Sequence, residues 1–187
     1  MSATPFPYGL RPVGKTAAGY NSHGFQTRPI ASAYGTAINF GDVVKGVADG
    51  TIEKDTGTTT LTPAGVFLGC EYTDSQGRRQ HSQNWPAGTV SSDAKAKVLT
   101  DPNELFYIQA DGSVTQAAVG ANAAIVQTAG VQGRSRNALQ ASSVATTATL
   151  PLRIVEISAM PENAAGDAYT DVVVRFNTHQ LNSATGV

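Results

Sequence analysis

The sequence predicts an all-β fold: a compact β-barrel or sandwich of short strands, with an extended N-terminal arm and at most one short helix. Turn-forming Gly, Pro, Asn and Asp recur at short intervals, and runs rich in β-branched and aromatic residues lie between them. About eight such runs follow one another at the spacing of strands in sandwiches and barrels. The 187 residues fit one domain, which we place at 31–187, preceded by an arm at 1–30.

The arm is predicted from prolines and from charge. Three prolines within the first 12 residues fix their own φ angles, remove backbone donors and disfavour a helix. The first 41 residues contain no Asp or Glu, and Arg11 and Lys15 lie among apolar side chains. Those apolar side chains belong to Phe6, Tyr8 and Leu10. We therefore predict that these five residues bind a partner protein, with the apolar groups in grooves and the two cations against acidic groups.

The strands are predicted in order from apolar runs bounded by turn residues. A strand begins within 39–45, and 51–60 is predicted to be a hairpin with Gly57 in its turn. The run 65–73 is strongly apolar, and the turn at 74–77 sends the chain back. Further strands are predicted at 78–85, 94–99, 105–108, 147–157 and 170–176.

The segment 116–146 differs in composition from the strands on either side. Its first part is rich in Ala and is compatible with one short helix, which Gly120 weakens. Residues 130–143 are mostly Gly, Ser, Gln and Asn, with Arg134 and Arg136 among them, which predicts an exposed loop. We expect 116–146 to be a helix and loop insertion in the β-rich domain.

Catalytic and metal-binding patterns are missing from the sequence. Three histidines, His23, His81 and His179, lie far apart, and Cys70 is the single cysteine. Aspartates in turn-like contexts are expected to cap nearby backbone donors: Asp42, Asp49, Asp55, Asp74, Asp101 and Asp111. We therefore expect no catalytic residue, no metal and no cofactor, and an activity other than enzymatic.

Charge composition indicates what kind of partner to expect. The chain has 13 Lys and Arg against 14 Asp and Glu, so no overall field favours nucleic acid or membrane. Charged residues make up 14% of the chain, below the usual share of about 25%, and 27 Ala, 21 Thr and 19 Gly take their place. Such a composition suits a surface committed to neighbouring proteins. We expect neither a signal peptide nor a membrane span, and synthesis in a cytoplasm.

Several runs together resemble virion structural proteins of tailed bacteriophages, and among them head decoration (cement) proteins. The resemblance covers nearly the whole chain and rests on strand and turn motifs. These motifs are YGLRPVGK (8–15), NFGDVVK (39–45), GVFLGC (65–70), WPAG (85–88), DAKAKV (93–98), DGS (111–113), ATTATLPLRI (145–154) and VRFNTHQL (174–181).

The resemblance implies a protein of the outer capsid surface, made in the cytoplasm of a bacterial host. Cement proteins bind the major capsid protein lattice and stabilise the head against the pressure of the packaged genome. They are usually oligomeric, so we expect a homotrimer or a dimer. An N-terminal arm that reaches across capsomers is typical of them. We expect removal of 1–15 to abolish capsid binding and to leave the domain folded.

Three alternatives remain open. The chain could serve another virion role, as a head–tail adaptor or as a tail or fibre subunit, which copy number would distinguish. It could be an adhesive module for host glycans, with Trp85, Tyr107 and Tyr169 as a stacking platform. Residues 1–15 could also pack on their own domain instead of reaching a partner.

Overall fold

The structure is a computed structural model that describes residues 4–15 and 24–183, without the side chain of Lys15. Within that part of the chain, strands dominate, and the only helices are three single 3₁₀ turns: Gln116–Ala118, Ala141–Ser143 and Gln180–Asn182. The strands are β1 (Arg11–Lys15), β2 (Phe25–Pro29), β3 (Ile38–Asn39), β4 (Val43–Gly46), β5 (Ile52–Lys54), β6 (Gly65–Thr73), β7 (Arg79–Ser82), β8 (Asn84–Trp85), β9 (Lys95–Leu99), β10 (Glu104–Gln109), β11 (Asn122–Ala123), β12 (Ile125–Val126), β13 (Ala138–Leu139), β14 (Leu152–Ile157) and β15 (Asp171–Phe176).

Two antiparallel sheets form a sandwich. The front sheet has the order β1-β10-β15-β14-β11. The back sheet has the order β2-β9-β6-β4-β5, and β7 pairs with the second half of β6. Two short ribbons, β3-β8 and β12-β13, complete the described structure, in which the strands do not close into a barrel. The prediction of an all-β, sandwich-like fold is confirmed.

The main core lies between the two sheets. The back sheet contributes Val43, Val66 and Leu99, and the front sheet contributes Phe106 and Val174, all at most 1% exposed. Burial of such side chains is the dominant favourable contribution to folding. Because neighbours on β4, β6 and β9 point to the opposite face, the back sheet needs cover on that face too.

A second core supplies this cover on the outer face of the back sheet. Val44, Phe67 and Val98, each next in sequence to a residue of the main core, pack there with Trp85, which is fully buried. The ring of Tyr72 meets Trp85 edge to face, with centroids 5.4 Å apart. The back sheet is therefore buried on both faces, which explains why β6 is apolar throughout its first half instead of alternating.

Several predicted strands are confirmed, and one predicted hairpin is wrong. Strand β6 spans the predicted 65–73, and β9, β10 and β15 lie within one or two residues of their predicted bounds. The predicted hairpin at 51–60 does not form, since β5 pairs instead with β4 and residues 58–60 are not a strand. The reason is Asp55, which is buried and accepts hydrogen bonds from Gly57 N–H (3.1 Å) and Thr62 N–H (2.8 Å), so the chain curls around its carboxylate.

The segment 116–146 contains more strand than expected. Helical conformation is limited to Gln116–Ala118, and β11, β12 and β13 follow. The predicted loop at 130–143 includes Asn137 and Leu139, both fully buried. A segment with few large apolar residues can still be buried where its backbone pairs with a neighbour, as β13 does with β12.

The described part of the predicted arm lies along one side of the sandwich. Strand β1 forms the edge of the front sheet against β10, and β2 forms the edge of the back sheet against β9. Because β9 and β10 follow each other in sequence, the two N-terminal strands accompany the chain where it crosses from one sheet to the other. Within the described residues, the first segment therefore packs on its own domain.

Candidate functional site

The segment that precedes β1 is fixed to the domain by backbone hydrogen bonds. Phe6 N–H donates to Gln109 Oε1 (2.6 Å), and Gly9 N–H donates to the carbonyl of Asn137 (3.1 Å). Leu10 N–H donates to the carbonyl of Gly41 (3.0 Å). Each bond satisfies a donor that an extended chain would otherwise leave to water. The segment thus presents a defined surface.

The five predicted binding residues fall into different environments. Phe6 is 66% exposed and Arg11 is exposed, while Tyr8 is half-buried. Leu10 is fully buried in the main core, so its predicted role in binding is corrected: an apolar side chain there stabilises the domain and is not available to a partner. The backbone of Lys15 pairs with Glu104, but its side chain lies outside the described part of the structure.

Gly9 allows the segment to approach a second region closely. Its φ of +72° lies in the left-handed region. A Cβ atom there would come within 2.5 Å of the Cβ atom of Ser135 and 2.8 Å of the carbonyl oxygen of Gly41. Only glycine tolerates both the angle and the proximity, so the segment lies directly against residues 131–137.

Residues 131–134 form a tight hairpin turn beside the N-terminal segment. Val131 and Arg134 exchange two backbone hydrogen bonds of 3.0 Å, and Gln132 and Gly133 both have positive φ angles, of 51° and 77°. This is the geometry of a two-residue hairpin loop. Phe40 N–H donates to the Gly133 carbonyl (3.0 Å), which ties the turn to the neighbouring chain.

A buried polar cluster holds the base of this turn. The carboxylate of Asp42, fully buried, pairs with Lys54 Nζ (3.0 Å) and accepts a hydrogen bond from Asn39 N–H (2.9 Å). Its second oxygen accepts from Asn137 Nδ2 (3.3 Å), and Asn137 Oδ1 accepts from Thr128 N–H (3.1 Å). The cluster joins β5 and the start of β4 to the chain that carries Arg134 and so fixes where the turn lies.

Tyr8 connects a half-buried carboxylate to an exposed guanidinium. Its hydroxyl donates to Asp171 Oδ1 (2.8 Å), and the guanidinium carbon of Arg11 lies 4.4 Å from the centre of its ring. Burial, with a further contribution from the charge of Asp171, raises the pKa of Tyr8 far above its usual range. Tyr8 therefore stays neutral and acts as a fixed platform for Arg11.

Two grooves meet at Tyr8, Arg11 and Arg134. The narrower one has a volume of about 160 Å³ and the wider one a volume of about 300 Å³. We call the surface around them the arginine trough, defined by Phe6, Tyr8, Arg11, Phe40, Val131, Arg134 and Arg136. Among the described residues no acidic side chain lines either groove, and no ion pair involves the three arginines.

The trough combines positive charge with exposed apolar groups. Phe6 is 66% and Val131 is 50% exposed, and both line the narrower groove with Arg136. Arginine and aromatic side chains are enriched where proteins bind one another. This arrangement can bind a protein surface that carries carboxylates.

Sequence reasoning missed two arginines of the trough and its position in the fold. It predicted Arg134 and Arg136 in an exposed loop without connecting that loop to the N-terminal segment. The dipeptide Gln132–Gly133 could have indicated a two-residue hairpin. Nothing in the sequence places that hairpin next to Tyr8, because the contact depends on a glycine more than 100 residues away from it in the chain.

Other polar groups serve the fold. Most of the aspartates expected to cap turns do so, for example Asp49 with Thr51 N–H (2.9 Å) and Asp101 with Asn103 N–H (2.9 Å). Asp111 instead accepts from Ala141 N–H (2.8 Å), a donor distant in sequence. Within residues 4–15 and 24–183, no three His, Cys, Asp or Glu side chains come together as metal ligands would. His179 is buried, and burial lowers its pKa. None of the helical turns in this part of the chain has the length and apolar character needed to cross a bilayer.

No protein family, curated protein or solved structure matches this chain. The trough is therefore interpreted from its own geometry and from the motifs of the sequence.

Proposed function

We propose that the chain is a head decoration (cement) protein of a tailed bacteriophage, and that it binds the outer surface of the major capsid protein lattice through the arginine trough. The observation that carries this proposal is the concentration, on one preformed surface, of two exposed apolar side chains and three arginines that form no ion pair with any described residue. The motifs described above, which resemble virion proteins, supply the identity of the partner.

The all-β sandwich suits a protein that stands on a surface. Its back sheet is buried on both faces, so the domain can bear load without a ligand to order it. In the proposed complex Phe6 enters an apolar depression of the capsid, and Arg11 meets a capsid carboxylate. Repetition of the site, in a proposed homotrimer on a symmetric lattice, turns a modest affinity per copy into stable binding.

The experiment that tests the proposal is a near-atomic cryo-EM reconstruction of the virion in which copies of this chain are counted. Density at regular positions over the outer capsid, with the trough facing the shell, is the expected result. Density confined to the portal vertex or the tail would replace the decoration role with that of an adaptor or fibre subunit.

A matched pair of variants tests the contact itself. Phe6→Ala should reduce occupancy on stripped capsids, whereas Phe25→Ala, which removes another exposed phenylalanine (56% exposed) on β2, should not. Point variants are preferable to truncation, because removal of 1–15 would also remove β1 and Leu10 from the fold. We therefore expect removal of residues 1–15 to destabilise the domain, contrary to the expectation from the sequence.

The burial of Trp85 counts against the glycan-binding alternative. Trp85 is fully buried in the second core, so it is not available to stack on a sugar. Tyr107 and Tyr169 are both half-buried, and no groove described above includes either one.

A further inference from the structure

We propose that the arginine trough recognises an extended, carboxylate-bearing segment of polypeptide, and that Arg134 and Arg136 select it. This inference rests on the proposed function for the identity of the partner protein, and it adds the chemistry and the shape of what the trough binds. It assigns a binding role to the 131–137 region, which no sequence motif connects with the N-terminal segment.

The arginines of the trough have donors to spare. The guanidinium carbon of Arg11 lies over the Tyr8 ring, 4.4 Å from its centre. A guanidinium carries five N–H donors, so contact with one ring leaves donors for a partner. Among the described residues no carboxylate forms an ion pair with Arg11, Arg134 or Arg136. A carboxylate is the ligand that matches such a planar pair of donors.

The shape of the trough favours an extended segment. One wall is the N-terminal segment around Phe6 and Tyr8, and the other is the hairpin turn with Val131 and Arg134. The narrower groove, of about 160 Å³, admits single side chains. A helix, with a diameter of about 10 Å, is too wide to enter a groove of that volume.

The trough is formed before a partner arrives. The turn is held by the hydrogen bonds of Phe40 with Gly133 and Ser135, of 3.0 and 2.9 Å, and by the buried Asp42 cluster beneath it. A preformed site loses little conformational entropy on binding. The electrostatic attraction of the arginines therefore adds to the affinity, because it does not have to offset the entropy cost of ordering a loop.

A polypeptide fits the trough better than a nucleic acid does. The chain as a whole carries a net charge of −1, so it has no overall positive field that would attract a long polyanion. The apolar rim offers Val131 and Pro7 besides Phe6, and aliphatic groups complement side chains of a protein.

The test uses fluorescence anisotropy with a labelled peptide of alternating Glu and Ala. We expect the unmodified protein to bind it, and to bind it more weakly as salt is added. Arg134→Gln with Arg136→Gln should weaken binding by about tenfold or more, since charge-assisted hydrogen bonds are lost. Lys95→Gln with Lys97→Gln is the matched control: it removes two exposed positive charges from β9 and should leave the affinity unchanged.

Three results would overturn the inference. The unmodified protein could bind a peptide of alternating Lys and Ala with the same affinity as the peptide of alternating Glu and Ala. It could also bind single-stranded DNA more tightly than either peptide. The double arginine variant could also bind the acidic peptide as the unmodified protein does, although circular dichroism shows it to be folded.

The outcome can be separated from that of the proposed function by measuring capsid occupancy. If the double variant occupies the head as fully as the unmodified protein does, the role of Arg134 and Arg136 is wrong and the decoration role stands. If the unmodified protein is absent from the outer capsid but binds the acidic peptide as described, the decoration role is wrong and the chemistry of the trough stands.

Discussion

Arginines at two places on this domain differ in whether carboxylates of the same chain pair with them. On the hairpin of β6 and β7, Arg79 pairs with Asp93 (2.9 Å) and Glu71 (3.2 Å), and Arg78 pairs with Asp74 (2.9 Å). In the arginine trough, no described carboxylate pairs with any of the three guanidinium groups. The hairpin is neutralised within the chain, whereas the trough is left with positive charge.

Stability does not explain this difference. Exposed ion pairs such as those of the hairpin are screened by solvent, so the domain gains little stability by forming them. Their effect is on binding, because a paired guanidinium has fewer donors for a partner. In a chain with 14% charged residues, arginines that lie beside a groove without an ion pair therefore mark the surface to test for binding.

Replacement of Asp42 should give the largest effect, because it removes the support of the trough. In Asp42→Asn the ammonium of Lys54, whose side chain is 10% exposed, loses its carboxylate. Loss of one partner from a buried ion pair costs about 3–5 kcal/mol, so the free energy of unfolding should fall by about that amount in urea titrations.

Asp74→Asn on the hairpin is the control for this prediction. It removes an exposed pair and should cost much less. In Asp42→Asn, amide hydrogen exchange should be faster than in the unmodified protein at residues 131–137 and unchanged in β7. Equal destabilisation by the two variants would contradict the distinction between a supporting carboxylate and a neutralising one.

Two residues of the same segment should separate folding from binding. Leu10→Ala should lower the free energy of unfolding by about 3 kcal/mol, since it opens a cavity in the main core. Phe6→Ala should change the free energy of unfolding by no more than about 0.5 kcal/mol, because the side chain is 66% exposed. Thermal unfolding of the two variants measures the difference.

A large effect of Phe6→Ala on stability would contradict the distinction between Phe6 and Leu10. If Phe6→Ala destabilised the domain as strongly as Leu10→Ala, Phe6 would belong to the fold, and the trough would lose its apolar contact. Loss of capsid binding in a stable Phe6→Ala protein would instead strengthen the assignment of the trough.

The two regions differ in how much of their structure could be predicted from the sequence. The hairpin of β6 and β7 is local: an apolar run, the turn at 74–77 and a returning strand lie next to one another in sequence, and Asp74 caps the turn as expected. Propensity and turn chemistry act over this range, so the pattern predicts the structure.

The trough could be predicted only in part. Three of the five residues named from the sequence, Phe6, Tyr8 and Arg11, do lie on it. Leu10 does not: strict alternation would place Phe6, Tyr8 and Leu10 on one face, but the positive φ of Gly9 interrupts the extended backbone between Tyr8 and Leu10. Arg134 and Arg136 reach the trough because their neighbours Ser135 and Asn137 contact Gly9 and Asp42, and no local pattern encodes contacts over such separations.

Acid should act in opposite directions on carboxylates of the two regions, and this is the smallest effect expected. At the hairpin, hydrogen bonds from Arg78 N–H, and also from Gln76 N–H and Gln80, lower the pKa of Asp74 from 3.8 to about 2. The folded state binds that proton less readily than the unfolded chain does. Its contribution is therefore fully present above pH 3.8 and is lost as the pH falls to about 2.

At the trough, burial raises the pKa of Asp171 above 3.8, although the Tyr8 hydroxyl and the charge of Arg11 oppose that shift. The folded state there binds a proton more readily than the unfolded chain, so acid relieves a small penalty. Amide hydrogen exchange during acid titration should show β7 losing protection while residues around Asp171 keep theirs. In Asp74→Asn the pH dependence of β7 should largely disappear; if it persisted unchanged, another carboxylate would hold the hairpin, and Asp93, whose pKa the Thr73 hydrogen bonds also lower, would be the one to replace next.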